Sequence, residues 1–165
     1  MQQFRAPRWL PGGHAQTIWP ALFAAAGPLP ALRRERWATP DGDFVDVDFA
    51  AAADPGAPWL VLFHGLEGSS RSHYARAFAR RAALLGWHYA VPHFRGCSGT
   101  INLAPRAYHA GDYEEIGWML QRLRDRTAAP LRAVGISLGG NALLRWAEEA
   151  GDDAARTVRA LAAVC

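Results

Sequence analysis

The chain has no lysine at all; its 18 basic residues are arginines, set against 15 acidic ones for a formal charge of +3. A P-loop is therefore excluded, because that motif rests a lysine on its phosphates. The arginines are scattered, with short clusters at Arg33-Arg34-x-Arg36 and Arg122-x-Arg124-x-Arg126. The second cluster falls at i, i+2, i+4 of an expected helix and spreads over its solvated side. A nucleic-acid surface would focus such residues on one face with aromatics between them, so no nucleic-acid partner is expected. Cysteine is nearly as scarce. Cys97 and Cys165 are the two present, which excludes a disulfide framework and a Cys-x-x-Cys metal site and fits a reducing, cytoplasmic setting.

Long apolar runs are missing too. The uncharged stretch from Ala15 to Leu32 is broken by Pro20, Gly27, Pro28 and Pro30, which argues against a membrane span but leaves contact with a membrane surface open. No basic segment followed by an unbroken apolar core opens the chain, so a secretory signal is not expected. At 165 residues, half of them hydrophobic, the chain is long enough for one core.

The pattern along the chain is that of alternating strands and helices. Residues 1–32 read as an irregular arm rich in Pro, Gly and Trp, and residues 33–165 as the N-terminal part of one domain. Two strands, Arg36–Thr39 and Phe44–Phe49, flank the turn sequence Pro40-Asp41-Gly42. In the second, Phe44, Asp46 and Asp48 alternate with Val45, Val47 and Phe49, which predicts one wet face. From Trp59 the texture changes to short apolar runs, WLVLFHG, HYAVPHFRG and LRAVGIS, of the kind buried on both faces of a parallel sheet. Between them lie helices with Tyr74, Phe78, Ala82 and Leu85 on one side, then Ile116, Met119, Leu120 and Leu123 on one side. Asp112 and Glu115 fit a capping box for the second. A further helix carries Leu143, Leu144, Trp146 and Ala147, and Val158–Cys165 reads as a last strand. This order predicts a mostly parallel, doubly wound α/β sheet. It stops at about a sixth strand with no closing helix, as in a truncated fold whose open last strand seeks a partner.

Gly135-Ile136-Ser137-Leu138-Gly139 sits where a buried strand meets a helix. A chain that turns that sharply brings the positions on either side of the serine into collision with the backbone, so Gly135 and Gly139 are required and the serine Oγ is left exposed near a helix N-terminus. The alternative, a phosphate-binding strand–helix turn, would need Gly-x-Gly-x-x-Gly spacing, which Gly-Ile-Ser-Leu-Gly-Gly lacks. A second glycine-rich turn, His64-Gly65-Leu66-Glu67-Gly68, follows the first buried strand, where folds of this type place half of an oxyanion hole. One amide would come from Leu138 and the other from Leu66, beside Gly65. The plainer reading of that loop is a strand–helix turn capped by Ser69 or Ser70.

Four separated motifs, WLPGGHAQT (9–17), HGLEGSSRSHY (64–74), HFRGCSGTINLAPRAYHAGD (93–112) and GISLGGN (135–141), together resemble the YheT-like α/β-hydrolases. Those are esterase-type proteins related to eukaryotic membrane-associated lipases of the same fold. The resemblance implies the α/β-hydrolase fold, cofactor-free hydrolysis of small-molecule or lipid-like esters, and a Ser–Asp–His triad with Ser137 as nucleophile and Leu66 and Leu138 at the oxyanion positions. Such triads run Ser, then Asp or Glu, then His along the chain. After Ser137 the carboxylates are Glu148, Glu149, Asp152 and Asp153, and there is no histidine. Serine without a base is a weak nucleophile.

Of the earlier histidines, His64 reads as a brace for its loop, while His93 and His109 fall near the upper edge of the sheet. No His-Glu-x-x-His type spacing supports a metal site from His93, His109 and Asp112. The expected activity is a serine carboxylic-ester hydrolase. A catalytically inert product or an acyl-ligand or partner-binding scaffold is the first alternative, and an acyltransferase on the same fold the second.

Overall fold

The runs at 59–63 and 131–136 form adjacent parallel strands because helices cover both of their faces. In the computed structural model, which describes residues 5–23 and 28–165, the elements run as follows. Helix α1 is Gly13–Phe23, β1 Arg33–Ala38, β2 Phe44–Ala50, β3 Trp59–Phe63, α2 His73–Leu84, β4 His88–Pro92, α3 Tyr113–Arg124, β5 Leu131–Ile136, α4 Leu138–Ala150, α5 Asp152–Thr157 and β6 Ala160–Val164. The six strands make one sheet in the order β1-β2-β4-β3-β5-β6. The first two pairings are antiparallel and the other three parallel. This is the predicted α/β architecture.

Alternation along β3 shows how the layers are built. Leu60 and Leu62 face α2, where they join Ala75, Ala79, Ala82, Tyr89 and Val91. Val61 and Phe63 face the other way, into a larger core with Ile116, Met119, Leu120 and Leu123 of α3 and Ala142, Leu143 and Trp146 of α4. Each strand residue removed from water on either side adds about 2 kcal/mol, so β3 cannot slip register without inverting both cores.

Several local expectations are corrected. The arm is not irregular throughout, since residues 13–23 are helical; part of it, residues 1–4 and 24–27, lies outside the described residues. The predicted wet face of β2 is dry. All seven residues of β2 are buried, because Arg36 forks onto Asp46 and Arg34 onto Asp48 from the neighbouring strand, replacing water with paired hydrogen bonds.

The buried row of α2 is Ala75, Ala79 and Ala82, with Tyr74 and Phe78 half-buried and Leu85 exposed. Small side chains let that helix lie close to the sheet. The capping box does not form: Asp112 makes no cap bond and pairs with Arg106, while Glu115 is buried against Arg95 at 2.7 Å. The short α5 was not anticipated. Strand β6 alternates between exposed and half-buried residues and so is not the doubly buried strand its composition suggested. Among the described residues it pairs with β5 alone.

Candidate active site

The parallel strands β3 and β5 both end at the same edge of the sheet, and the two glycine-rich turns meet there. At the end of β5, Ser137 has φ +50 and ψ −115 and caps α4. This conformation is rare outside glycine and strains the backbone. Close packing imposes it. A Cβ on Gly135 would lie 2.5 Å from Gly139 O and 2.6 Å from Gly140 Cα; on Gly139 it would lie 2.5 Å from Phe63 O and run into His64 O. The Ser137 amide donates to Val164 O of β6 at 2.7 Å, and its carbonyl accepts from Asn141 N at 3.0 Å. Ser137 is exposed, and its Oγ has no hydrogen-bond partner among the described residues. It therefore stands at the first turn of α4, where free N–H groups favour negative charge.

Facing it is the loop after β3. A Cβ on Gly65 would sit 3.5 Å from Ser137 Cβ, so the loop and the elbow are in contact. Leu66 is 70% exposed, and the next residue, Glu67, has φ +51. Neither the Leu66 nor the Leu138 amide has an acceptor among the described residues. The two amides singled out from the sequence are thus free, on the two turns that touch, beside an unpartnered serine hydroxyl.

Two of the histidines singled out from the sequence, His64 and His93, are held in buried hydrogen bonds. His64 is fully buried; its Nδ1 donates to Gly65 O at 2.8 Å and its Nε2 accepts from Phe94 N at 3.1 Å. Burial pushes its pKa down to about 4, against the smaller opposing pull of the Gly65 carbonyl. It is neutral and braces the loop, as its position after β3 suggested. His93 is buried, with Nε2 2.8 Å from Asp48 Oδ2. Asp48 also accepts from Ser70 Oγ at 2.6 Å. Burial pushes the Asp48 carboxyl up, but Arg34, His93 and Ser70 together hold it well below the usual carboxylate range. His109 is exposed, with Nδ1 accepting from Gly111 N at 3.1 Å.

No group of three or more His, Cys, Asp or Glu side chains that could hold a metal ion occurs among the described residues. Burial raises the Cys97 thiol pKa, which disfavours a reactive thiolate.

Two tyrosines join the loop: Tyr74, which the sequence places only on the apolar face of a helix, and Tyr108, to which it assigns no role. Tyr74 Oη accepts from Gly65 N at 3.0 Å, and Tyr108 Oη accepts from Glu67 N at 2.8 Å while donating to Glu67 Oε1 at 2.9 Å. Both tyrosines lie within the motifs that carry the resemblance, but only the tertiary structure joins Tyr108 to a residue 41 positions earlier. No helix of the described residues is long and apolar enough to cross a membrane.

Comparison with known proteins agrees with this architecture. Residues 58–165 match the family model described as alpha/beta hydrolase fold. Over 143 residues, 85% of the chain, the sequence is 43% identical to YheT of Escherichia coli (strain K12), provisionally named an esterase. It is 28% identical over 137 residues, 78% of the chain, to phospholipase ABHD3 of Bos taurus. The chain spans 42% and 33% of the lengths of these two relatives. Among solved structures, the mouse alpha/beta hydrolase domain-containing protein 10 superposes with a TM-score of 0.61 at 17% identity, over 79% of this chain and 48% of that one. Six strands in this order, the strained serine turn after β5 and the family match together place the chain in the α/β-hydrolase fold family, with similarity to its esterase- and lipase-type members.

Proposed function

We propose that Ser137 is the nucleophile of a carboxylic-ester hydrolase that works through an acyl-enzyme. The observation that carries this reading is the strained, exposed Ser137 on a turn in contact with the loop of Gly65 and Leu66. A serine at φ +50 whose side chain makes no hydrogen bond among the described residues gains nothing from that side chain for stability; the strain makes sense if it presents Oγ to a substrate.

In the reaction, Oγ bonds to the ester carbonyl carbon while its proton passes to a base. The carbonyl oxygen becomes an oxyanion, held by the Leu66 and Leu138 amides. On collapse the C–O bond to the alcohol breaks, and the leaving alkoxide takes the proton. Water then attacks the acyl-enzyme, releasing the acid and restoring the serine hydroxyl. No hydrogen bond among the described residues joins Ser137 Oγ to a base. The names of the relatives favour an ester substrate of lipid type. Transfer to an alcohol in place of water would use the same site, and adding an alcohol acceptor to the assay separates the two.

A fluorophosphonate probe tests the reading. It is expected to phosphonylate Ser137 and to leave a Ser137→Ala variant unlabelled. A folded protein carrying the whole reading frame that resists the probe overturns the nucleophile assignment. Continuing the coding frame past Cys165 into a strand-borne acid and then a histidine is the matching genetic expectation.

A further inference from the structure

The backbone donors of the loop after β3 are almost all in use. Gly65 N donates to Tyr74 Oη at 3.0 Å, Glu67 N to Tyr108 Oη at 2.8 Å, Gly68 N to Gly65 O at 2.9 Å and Ser69 N to Ser72 Oγ at 3.1 Å. From residue 65 to residue 69, only the Leu66 amide has no acceptor among the described residues. The amides on either side of it are each taken by a tyrosine hydroxyl.

Both tyrosines are fixed from outside the loop. Tyr74 belongs to the first turn of α2, and its hydroxyl fills the place a Cβ on Gly68 would need. Tyr108 stacks on Phe94, with ring centroids 5.2 Å apart and planes 9° from parallel. Phe94 in turn donates its amide to His64, the residue that opens the loop. The segment that leads to Tyr108 is anchored by Asp43, which accepts from Leu103 N at 2.9 Å, Ala104 N at 3.2 Å and Asn102 Nδ2 at 2.9 Å. Arg95, at the start of the same segment, is paired with Glu115 at 2.7 Å and Asp43 at 3.0 Å.

We infer that Tyr74 and Tyr108 are positioning residues that clamp the loop on both sides of Leu66 and so hold its amide as the free donor facing Ser137. The inference rests on the ester-hydrolase reading for its chemical meaning. Glu67 is the point of strain, since a non-glycine residue at φ +51 relaxes unless something holds it. Tyr108 holds it twice, by the amide and by the carboxylate. A small displacement of a preorganised donor costs catalysis far more than stability.

Tyr108→Phe is the sharpest test, because it keeps the ring stacked on Phe94 and removes only the hydroxyl. Labelling of Ser137 by a fluorophosphonate is expected to slow on the order of tenfold or more, with the thermal midpoint lowered by only a few degrees. Glycine adopts a positive φ freely, so Tyr108→Phe with Glu67→Gly should recover most of the lost rate. Recovery separates positioning from a general loss of packing, which a glycine would not repair. Labelling of Tyr108→Phe within twofold of the parent, or a double variant no faster than the single one, overturns the inference.

Amide hydrogen exchange reads the same clamp without the serine. The Glu67 amide should exchange about tenfold faster in Tyr108→Phe, and the Gly65 amide faster in Tyr74→Phe. Unchanged exchange at both overturns the clamp. Protected amides in a protein that never labels would leave the clamp standing and sink the hydrolase reading instead.

Discussion

Two turns face each other at the C-terminal edge of the sheet, and each holds one non-glycine residue at positive φ, Ser137 at +50 and Glu67 at +51. They are held by different physics. The elbow is locked by steric contact, since Gly135 and Gly139 leave no room for any Cβ and, among the described residues, no side chain bonds to the serine Oγ. The loop is locked by polar groups, two tyrosine hydroxyls and a neutral buried histidine. Steric locks are stiff and fail abruptly, because a packed interior has no slack. Hydrogen-bonded locks are graded, each bond adding about 1 kcal/mol net, and they respond to pH where a histidine takes part.

The largest effect should come from the steric side. Gly139→Ala drives a methyl group against Phe63 O and His64 O, both backbone atoms of β3 and its loop. The strand cannot yield without parting from β4 and β5. The expected loss is about 3 kcal/mol or more, at the upper end of overpacking penalties, read from the urea midpoint. A loss under about 1 kcal/mol would show that the elbow is softer than its contacts indicate and would erase the contrast between the two turns.

On the polar side, His64 makes stability depend on pH. Its folded-state pKa is about 4, below its ordinary 6.5. Between those values the unfolded chain binds the extra proton, so stability is full above pH 6.5 and declines as the pH falls toward 4. At about 1.4 kcal/mol for each tenfold in proton affinity, the loss is at most about 3 kcal/mol. His64→Gln should flatten this limb in urea titrations between pH 7 and 4.5; a parent protein already flat there breaks the assignment. A second loss should begin below about pH 4. Asp48 has a depressed folded pKa, so its contribution is complete above the unfolded carboxylate value and disappears on further acidification. The elbow, with no titratable side chain from Gly135 to Gly140, adds nothing to either limb.

This division also explains what could be read in the sequence. The elbow was legible because its rule is local: a strand, a glycine at each side of a serine, a helix. The order of strands and helices was legible for a similar reason, since WLVLF and LRAVGI carry their burial in their own composition. Polar partnerships were not. Asp46 and Asp48 look like the wet face of a strand until Arg34 and Arg36 arrive from β1. Asp112 and Glu115 have capping-box spacing, yet Arg106 and Arg95 claim them from a loop that the spacing cannot see. Tyr74 and Tyr108 likewise acquire their positions only when α2 and the 94–112 segment converge on one loop. Apolar periodicity is a property of a segment. The destination of a hydrogen bond is a property of the fold.

The smallest and most discriminating effect is a gain. If Ser137 is strained and the strain is not repaid by any side-chain bond, replacing it with glycine should stabilise the protein by about 1 kcal/mol. Glu67→Gly relieves a similar dihedral but gives up the bond between Tyr108 Oη and the carboxylate, so its net change should lie near zero. The two substitutions are matched in backbone angle and differ in what holds the residue. Midpoints of urea unfolding, measured side by side at pH 7.5 where His64 is neutral in both states, give the difference. Equal gains at both positions would mean that the Tyr108 clamp contributes nothing to Glu67. No gain at Ser137 would mean that its unusual φ is relaxed by its surroundings, and the case for strain kept for chemistry would fall with it.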